Sequence, residues 1–396
     1  MRDKRLLIVM AILMTTFLGF GIIIPVMPEI IKETAHQGFE KHTGYMLAVY
    51  SLVSFVLSPY WGGLSDRIGR RPIILTGVVG FAVSFVLFGL ASGNLPLMYI
   101  SRVLGGLFSG AVTSVIVAYV ADITPKEHRT KGMALVGMSI GAGFTFGPAF
   151  GGFLSIISLE MPFYVASGLA LFTFVLAYLK LKESLAPEQR RSASEPRVSR
   201  WSAFTGSLKY LYVLAFFVTF TLAGLEATLQ IFGMKRFDVT PLQVGVLFFV
   251  CGFVGALVQG GFVRRRIKKG DEPKYIGIGL VISAIGFFML LGAHSLWWAT
   301  VSLAVFGIGN ALIRPCVTSL ITQKTTVGQG VASGLSSSMD SLGRIVGPLF
   351  GTFLFTVGDN LPYVSGGVLC LAALLLLVQF RKLDSRLRPS SETSST

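Results

Sequence analysis

The sequence predicts an all-α integral membrane protein with twelve transmembrane helices in two pseudo-symmetric six-helix halves. Three observations predict it: a composition too apolar for a soluble domain, twelve long apolar runs, and a pattern that repeats half a chain apart. Hydrophobic residues make up 53% of the 396 residues and charged ones 13%, with a mean hydropathy of +0.71. A soluble domain carries about 25% charged residues. The hydrocarbon core demands about 20 mostly apolar residues per helix, because every backbone N–H and C=O must be bonded within the segment. Such runs fall at 6–30, 43–63, 73–92, 95–120, 132–157, 162–180, 208–231, 242–262, 275–293, 296–321, 330–356 and 361–380, numbered here spans 1 to 12. They are continuously apolar rather than alternating, which excludes β-barrel strands.

Span 1 follows Arg2, Lys4 and Arg5, as a signal peptide would. Its apolar stretch continues through Gly19, Gly21 and Pro25 without a small-residue cleavage site, so it reads as an uncleaved helix. Between the spans, basic residues cluster on alternate loops: Arg67, Arg70 and Arg71; Lys126, Arg129 and Lys131; Lys180 through Lys209; Arg264 through Lys274; and Arg381 through Arg388. The opposite loops hold only Lys32, Lys41, Lys235 and Arg236. The positive-inside rule then puts both termini in the cytoplasm of a multi-pass plasma or inner membrane protein. The net charge of +15 is thus topological, which argues against nucleic-acid binding and adds affinity for anionic lipid headgroups. Cys251, Cys316 and Cys370 each lie inside a span and read as packing residues; with four scattered histidines, no metal site is expected.

The domain reading is 1–182 for the first half, 183–207 for a polar cytoplasmic linker, 208–382 for the second half and 383–396 for a disordered tail. The linker carries Glu183, Glu188, Arg190, Arg191 and several serines and cannot bury a core. The halves repeat. Gly62-Gly63-Leu64-Ser65-Asp66-Arg67-Ile68-Gly69-Arg70-Arg71 follows span 2, and Gly260-Gly261-Phe262-Val263-Arg264-Arg265-Arg266 follows span 8. Gly147-Pro148 with Gly151 in span 5 recurs as Gly347-Pro348 with Gly351 in span 11. Internal duplication of this kind places a substrate cavity between two rocking halves.

Three motifs carry a resemblance to the major facilitator superfamily over essentially the whole chain. The first is Gly62-x-x-x-Asp66-Arg67-x-Gly69-Arg70-Arg71, whose glycines permit a tight turn and whose charges can pair with helix ends and neighbouring loops as an ionic latch. The second is Arg102-Val103-Leu104-Gly105-Gly106 in span 4; a guanidinium inside a span must face the bundle and find partners. The third is Gly143-x-x-x-Gly147-Pro148-x-x-Gly151-Gly152 in span 5, where small residues allow close helix approach and Pro148 frees a carbonyl. The second motif is similar to one in proton-driven exporters, which implies a proton-transfer role for Arg102. The third resembles the antiporter signature, which implies export and a hinge or seal in span 5. Within the superfamily the chain resembles the twelve-helix drug:proton antiporters of the NorA/Bmr type, on Gly21-Ile22-Ile23-Ile24-Pro25, Ala121-Asp122-Ile123-Thr124-Pro125, Met161-Pro162-Phe163-Tyr164 and Ile313-Arg314-Pro315. It departs from them in span 10, where Gly309-Asn310-Ala311-Leu312-Ile313-Arg314 lacks that group's acidic residue.

Glu226 in span 7 is the leading coupling residue, since a carboxyl in an apolar span can exchange a proton and attract a cation. The resemblance implies the same role. Asp340 and Arg344, four residues apart in span 11, can pair on one helix face, as a second proton site or as a structural pair. Arg314 in span 10 also needs a partner. Candidate substrate contacts are Glu226, Asn310, Arg314, Phe220 and Phe306, the rings suiting bulky amphipathic compounds. No phosphate-binding GxxxxGK[ST] sequence occurs, which argues against ATP-driven transport.

The expected function is therefore proton-coupled efflux of hydrophobic or cationic drug-like compounds. The expected protein is a non-enzymatic monomer that needs no cofactor beyond the proton gradient. The alternatives are a narrow-specificity exporter of one antibiotic class, a sugar or an endogenous metabolite, and a non-transporting membrane sensor that kept the fold.

Overall fold

A computed structural model describes residues 4–35, 37–125, 129–185, 203–267, 270–325 and 329–387. Their regular structure is all helical, with no strand among them. The elements are α1 (Lys4–Ile23), α2 (Met27–Ala35), α3 (Phe39–Ile68), α4 (Arg70–Leu90), α5 (Leu95–Ile123), α6 (Arg129–Leu154), α7 (Met161–Lys180), α8 (Leu208–Arg236), α9 (Pro241–Leu257), α10 (Arg264–Arg266), α11 (Glu272–Leu291), α12 (Leu296–Lys324), α13 (Gln329–Val357) and α14 (Leu361–Leu387). Spans 1 to 12 correspond to α1, α3 to α9 and α11 to α14.

Eleven of these helices are long and apolar enough to cross a membrane. The twelfth, α13, has the length at 29 residues but carries a serine-rich face with Asp340 and Arg344. Polar groups on a spanning helix must face protein or a water-filled space, so α13 marks where the interior is polar.

Span 1 is shorter than its apolar run. The helix stops at Ile23, because Pro25 cannot donate a backbone hydrogen bond; the chain turns through Ile24–Val26 and restarts as the amphipathic α2. Span 8 also departs from a plain helix. It becomes a π-helix over Val258–Val263, at the Gly260-Gly261 pair, before α10. At the other terminus α14 continues to Leu387, into the segment expected as a disordered tail, and Lys324 Nζ meets Asp384 Oδ1 at 2.5 Å. Residues 388–396 and linker residues 186–202 lie outside the described residues, as do Arg2, Lys126 and the side chains of Arg129 and Lys131.

Packing pairs recur with an offset of six spans. Span 1 packs on 5 as 7 packs on 11; span 4 packs on 2 and 3 as span 10 packs on 8 and 9; span 6 packs on 1 and 3 as span 12 packs on 7 and 9. Between the halves the large contacts are span 2 with 11 and span 5 with 8, again related by six. Glycine makes these approaches possible. A Cβ on Gly143, Gly147 or Gly151 would collide with Leu18, Gly21 or Ile22 of span 1. One on Gly343, Gly347 or Gly351 would collide with span 7, at Phe220 or Gly224. Gly44 lies against Pro348 and Thr352, and Gly245 against Pro148, so each repeated proline carbonyl receives a glycine of the opposite half.

Among the described residues the halves meet toward one end. Gly44 and Gly62 lie 18 residues apart, about five turns, and therefore on one face of span 2. Gly44 is packed tightly on span 11, whereas nothing lies within 4 Å of the Cβ position of Gly62. Gly260 and Gly261 at the matching end of span 8 are likewise open. The halves thus splay toward the end bearing the 62–71 loop, and the cleft between them opens there.

Candidate functional site

At the apex of the cleft, span 11 brings Arg344 to span 7, and Arg344 Nη1 stands 3.5 Å from Glu226 Oε2. The first half supplies an aromatic wall opposite. The guanidinium lies 4.4 Å from the Phe144 ring centroid and 5.5 Å from that of Phe20. Phe17, Phe20, Phe144 and Tyr50 form one contiguous ring cluster from spans 1, 5 and 2. A buried carboxylate is tolerable only when paired, and the arginine beside it gains further from the negative ring faces.

Toward the mouth, a second polar set joins spans 7, 10 and 11. Thr219 Oγ1 donates to Asp340 Oδ1 at 2.6 Å, and Arg314 Nη2 donates to Thr219 at 3.5 Å and stands 3.8 Å from Asp340. Side-chain exposure falls from 40% at Arg314 and 37% at Asp340 to 18% at Arg344 and 9% at Glu226. That gradient runs from the open mouth to the apex. The arrangement can therefore admit a polar or charged group from the mouth and offer it a carboxylate with a single loosely held partner.

The pairing differs from the sequence expectation. Asp340 and Arg344 do not form the pair that their spacing permits; each reaches across to another helix, Asp340 to Arg314 and Arg344 to Glu226. Span 11 packs on span 7, so both side chains leave their own helix surface for the interhelical space. Phe220 and Phe306 also lie elsewhere. Phe220 packs on Phe216 and Phe350, and Phe306, 2% exposed, packs on Phe287 between spans 9 and 10. Asn310 faces a small cavity inside the second half, with its Oδ1 buried and unbonded by protein groups beside Ser283 and Thr221. Tyr50, Phe20 and Phe144 escaped the sequence reading, which offered Arg344 a partner on its own helix and gave no sign of a ring cluster facing it.

Arg102 is 1% exposed, and its Nε and Nη2 have no hydrogen-bond partner. Rings take that place: Phe88 at 4.6 Å, Tyr50 at 5.6 Å and Phe85 at 5.7 Å from the guanidinium carbon. Tyr50 therefore touches both the Arg102 cage and the wall facing Arg344.

The 62–71 motif ties the first half together. Arg70 bonds Asp66 at 2.6 Å and Asp122 at 3.1 Å, and its Nη1 donates to Ser65. The backbone N–H groups of Arg70 and Arg71, which open span 3, donate to Glu183 at 2.9 and 3.1 Å. A carboxylate on unsatisfied helix N–H groups is the favourable arrangement for a helix start. Arg71 also donates to the Tyr178 carbonyl at 2.7 Å, Gly69 turns with φ of 110°, and Arg67 is exposed. These described partners lie in the first half, or in Glu183 at the start of the linker, so the contacts join spans 2, 3, 4 and 6 rather than the two halves. In span 5, Gly143, Gly147 and Gly151 face span 1, whereas Pro148 and Gly152 meet Gly245 and Pro241 of span 8, so the motif packs both within the first half and across to the second. Among the described residues no group of three or more His, Cys, Asp or Glu side chains could hold a metal.

Comparison with known proteins agrees with this architecture. The Major Facilitator Superfamily profile matches residues 9–328 and 270–395. The chain is 31% identical over 385 residues to multidrug resistance protein 2 of Bacillus subtilis, covering 95% of each. It is 28% identical over 385 residues to the quinolone resistance protein NorA of Staphylococcus aureus, covering 95% of this chain and 97% of that one. The crystal structure of the human organic anion transporter MFSD10 superposes with a TM-score of 0.71 at 25% identity, over 94% of this chain and 99% of that one. A bacterial homologue of the human lysosomal transporter Spinster, inward-facing and unoccupied, shares the fold with a TM-score of 0.76 at 17% identity, over 97% and 98% of the two chains. With its repeat and its paired glycine–proline contacts between the halves, this chain belongs to the major facilitator superfamily of membrane transporters.

Proposed function

We propose that this transporter exports bulky, amphipathic drug-like compounds from the cytoplasm in exchange for protons, by alternating access of the cleft. The observation that carries this reading is the Glu226–Arg344 pair at the apex, the most deeply buried acid in the cleft and faced by rings of the other half. The printed names of the relatives, multidrug and quinolone resistance proteins, support the substrate class. The 62–71 end faces the cytoplasm by its positive loops, so the cleft is open inward. The driving force is the proton gradient, with no cofactor and no chemical conversion, and one chain suffices.

The residues divide the work as follows. Phe20, Phe144 and Tyr50 offer ring faces to an apolar or cationic body. Ionised Glu226 holds Arg344; proton uptake by Glu226 cancels that attraction, so the arginine shifts between two environments as the proton arrives and leaves. Arg314 and Asp340 line the entry. Arg102 and Asp340 keep their proposed places as auxiliary proton-handling groups, Arg102 acting through its ring contact with Tyr50.

Everted vesicles test this directly. Respiration acidifies them, and a substrate should partly collapse the gradient in the wild type but not in Glu226→Gln; unchanged pumping by that variant removes Glu226 as the coupling site. A narrower exporter is the second reading. It is favoured by an excess of guanidinium groups around the cleft: Arg314 and Arg344 each meet one carboxylate, Asp340 and Glu226, while Arg102 behind Tyr50 meets rings instead, a positive excess that disfavours many cationic drugs. A susceptibility panel in a pump-deficient bacterium separates the two by the breadth of compounds excluded.

A further inference from the structure

Behind the cleft, the interior of the second half buries polar atoms that no protein group satisfies. Ser283 of span 9 is 2% exposed and its Oγ has no hydrogen-bond partner, nor has the buried Oδ1 of Asn310 in span 10. Both residues line one cavity of about 10 Å³ halfway along their spans, about the smallest that admits a water. Thr221 of span 7 lines it too. Its hydroxyl donates to the Phe217 and Val218 carbonyls, at 3.0 and 3.2 Å, which leaves lone pairs to accept. A water there has the two to four polar partners that such a site needs.

Two further cavities extend this one along the bundle. Toward the end away from the basic loops, a cavity of about 20 Å³ shares Thr221 and Leu369 as walls and is lined by Thr228 and by Tyr363, whose buried Oη is also unbonded by protein. Toward the mouth, a cavity of about 30 Å³ is lined by Arg314 and Asp340 and shares Val218 and Ile313 as walls with the middle one. Glu226 lines none of the three. Protein interiors leave few voids, and an unpaired buried polar atom is costly, so three cavities in line with polar atoms in each wall point to hydration.

We propose that these cavities hold a file of buried waters, a proton route through the second half that runs from Tyr363 to Asp340 and bypasses Glu226. The proposal rests on the reading above that the Tyr363 end faces outward and that protons drive export. In this pose Val218 and Ile313 interrupt the file between Asn310 and Asp340, so outer protons do not run through to the cytoplasmic mouth. When the halves tilt the other way, this wall parts as the mouth shuts. A proton entering at Tyr363 then displaces one along the waters past Thr221 and Ser283, and the last is taken up by the Asp340 carboxylate, which becomes a neutral acid. Asn310 Oδ1 can only accept, so it holds a water in place rather than passing the proton on. Back in this pose the wall is shut, and Asp340, 37% exposed beside Arg314, gives its proton to the cytoplasm. One proton enters the file for each that leaves it.

The test is substrate-free proton flux in proteoliposomes of the full chain, read with an entrapped pH dye under an imposed potassium diffusion potential. The wild type should be tight. Val218→Ala combined with Ile313→Ala opens the wall and should raise the flux about ten-fold, the effect of lowering one barrier by about 1.4 kcal/mol. Adding Asn310→Leu and Ser283→Val fills the middle cavity with apolar groups and should return the flux to the wild-type level. Cys370, 5% exposed, lines the same cavity. With Cys251 and Cys316 replaced by alanine, silver ion, small enough to follow water, should therefore block the flux of the wall-opened chain, and should lose this effect in Cys370→Ala. If the double replacement fails to fold, Val218→Ala alone makes the same test. A folded wall-opened chain that stays tight overturns the proposal, as does a flux that survives the filled cavity, ignores silver or is lost in Glu226→Gln. A flux with the expected pattern in a chain that exports no compound leaves the file standing and removes the drug-efflux reading instead.

Discussion

Arg344 and Glu226 show how strongly a buried pair depends on both members. Truncating one partner of such a pair leaves the other charge without compensation and typically costs about 3–5 kcal/mol, whereas removing both costs far less. Arg344→Gln should therefore lower the unfolding temperature in detergent markedly more than Arg344→Gln combined with Glu226→Gln. Equal losses in a thermal scan would mean that the two side chains do not interact. Arg314 and Asp340 are each more than a third exposed, so solvent screens them and Asp340→Asn should change stability by less than about 1 kcal/mol. Its effect belongs to transport rather than folding. Glu226 was legible in the sequence because a lone acid in an apolar run needs a reason to be there. Its partner was not, because the spacing of Asp340 and Arg344 suggests a pair within one helix, and only the packing of span 11 on span 7 redirects both.

At the scale of the helix, the glycines rank themselves by what their missing Cβ would meet. At Gly151 it would press on the Ile22 backbone, which cannot move without displacing span 1; at Gly351 it meets the Gly224 backbone with slightly more room; at Gly168 it meets nothing. Overpacking a tight contact costs about 1–3 kcal/mol, while filling an open helical glycine gains up to about 1 kcal/mol from helix propensity. The expected order of thermal stability is Gly168→Ala at or above wild type, Gly351→Ala below it and Gly151→Ala lowest. Reversal of the last two would show that span 1 yields more easily than span 7. The motif spacing in spans 5 and 11 announced this close packing in advance. What it concealed was direction: Gly143, Gly147 and Gly151 face span 1, yet Gly152, the very next residue, faces the other half. The end of span 1 was misjudged for a related reason, since hydropathy does not register that Pro25 stops a helix, and span 8 holds its predicted extent but relaxes into a π-turn at Gly260-Gly261, which hydropathy does not register either.

The pose of the whole molecule is set by where its halves touch, and span 2 reports this along a single face. Gly44 is wedged against Pro348 and Thr352 of span 11, and five turns away Gly62 faces open space, so the two helices diverge toward the basic end. Alternating access requires that divergence to reverse, bringing Gly62 toward span 11 as Gly44 leaves it. A bulky side chain at each position should then act in opposite senses. Gly62→Leu should leave the stability of this state nearly unchanged, obstruct closure of the basic end and abolish transport with the cleft held open. Gly44→Leu cannot fit the present seam and should shift the population toward the pose in which the seam is parted. Spin labels at Gln37→Cys and Leu361→Cys read both: a shorter mean distance for Gly62→Leu and a longer one for Gly44→Leu, relative to wild type. The same direction of change in both variants would mean that the halves do not pivot as rigid bodies about the apex where Glu226 and Arg344 sit.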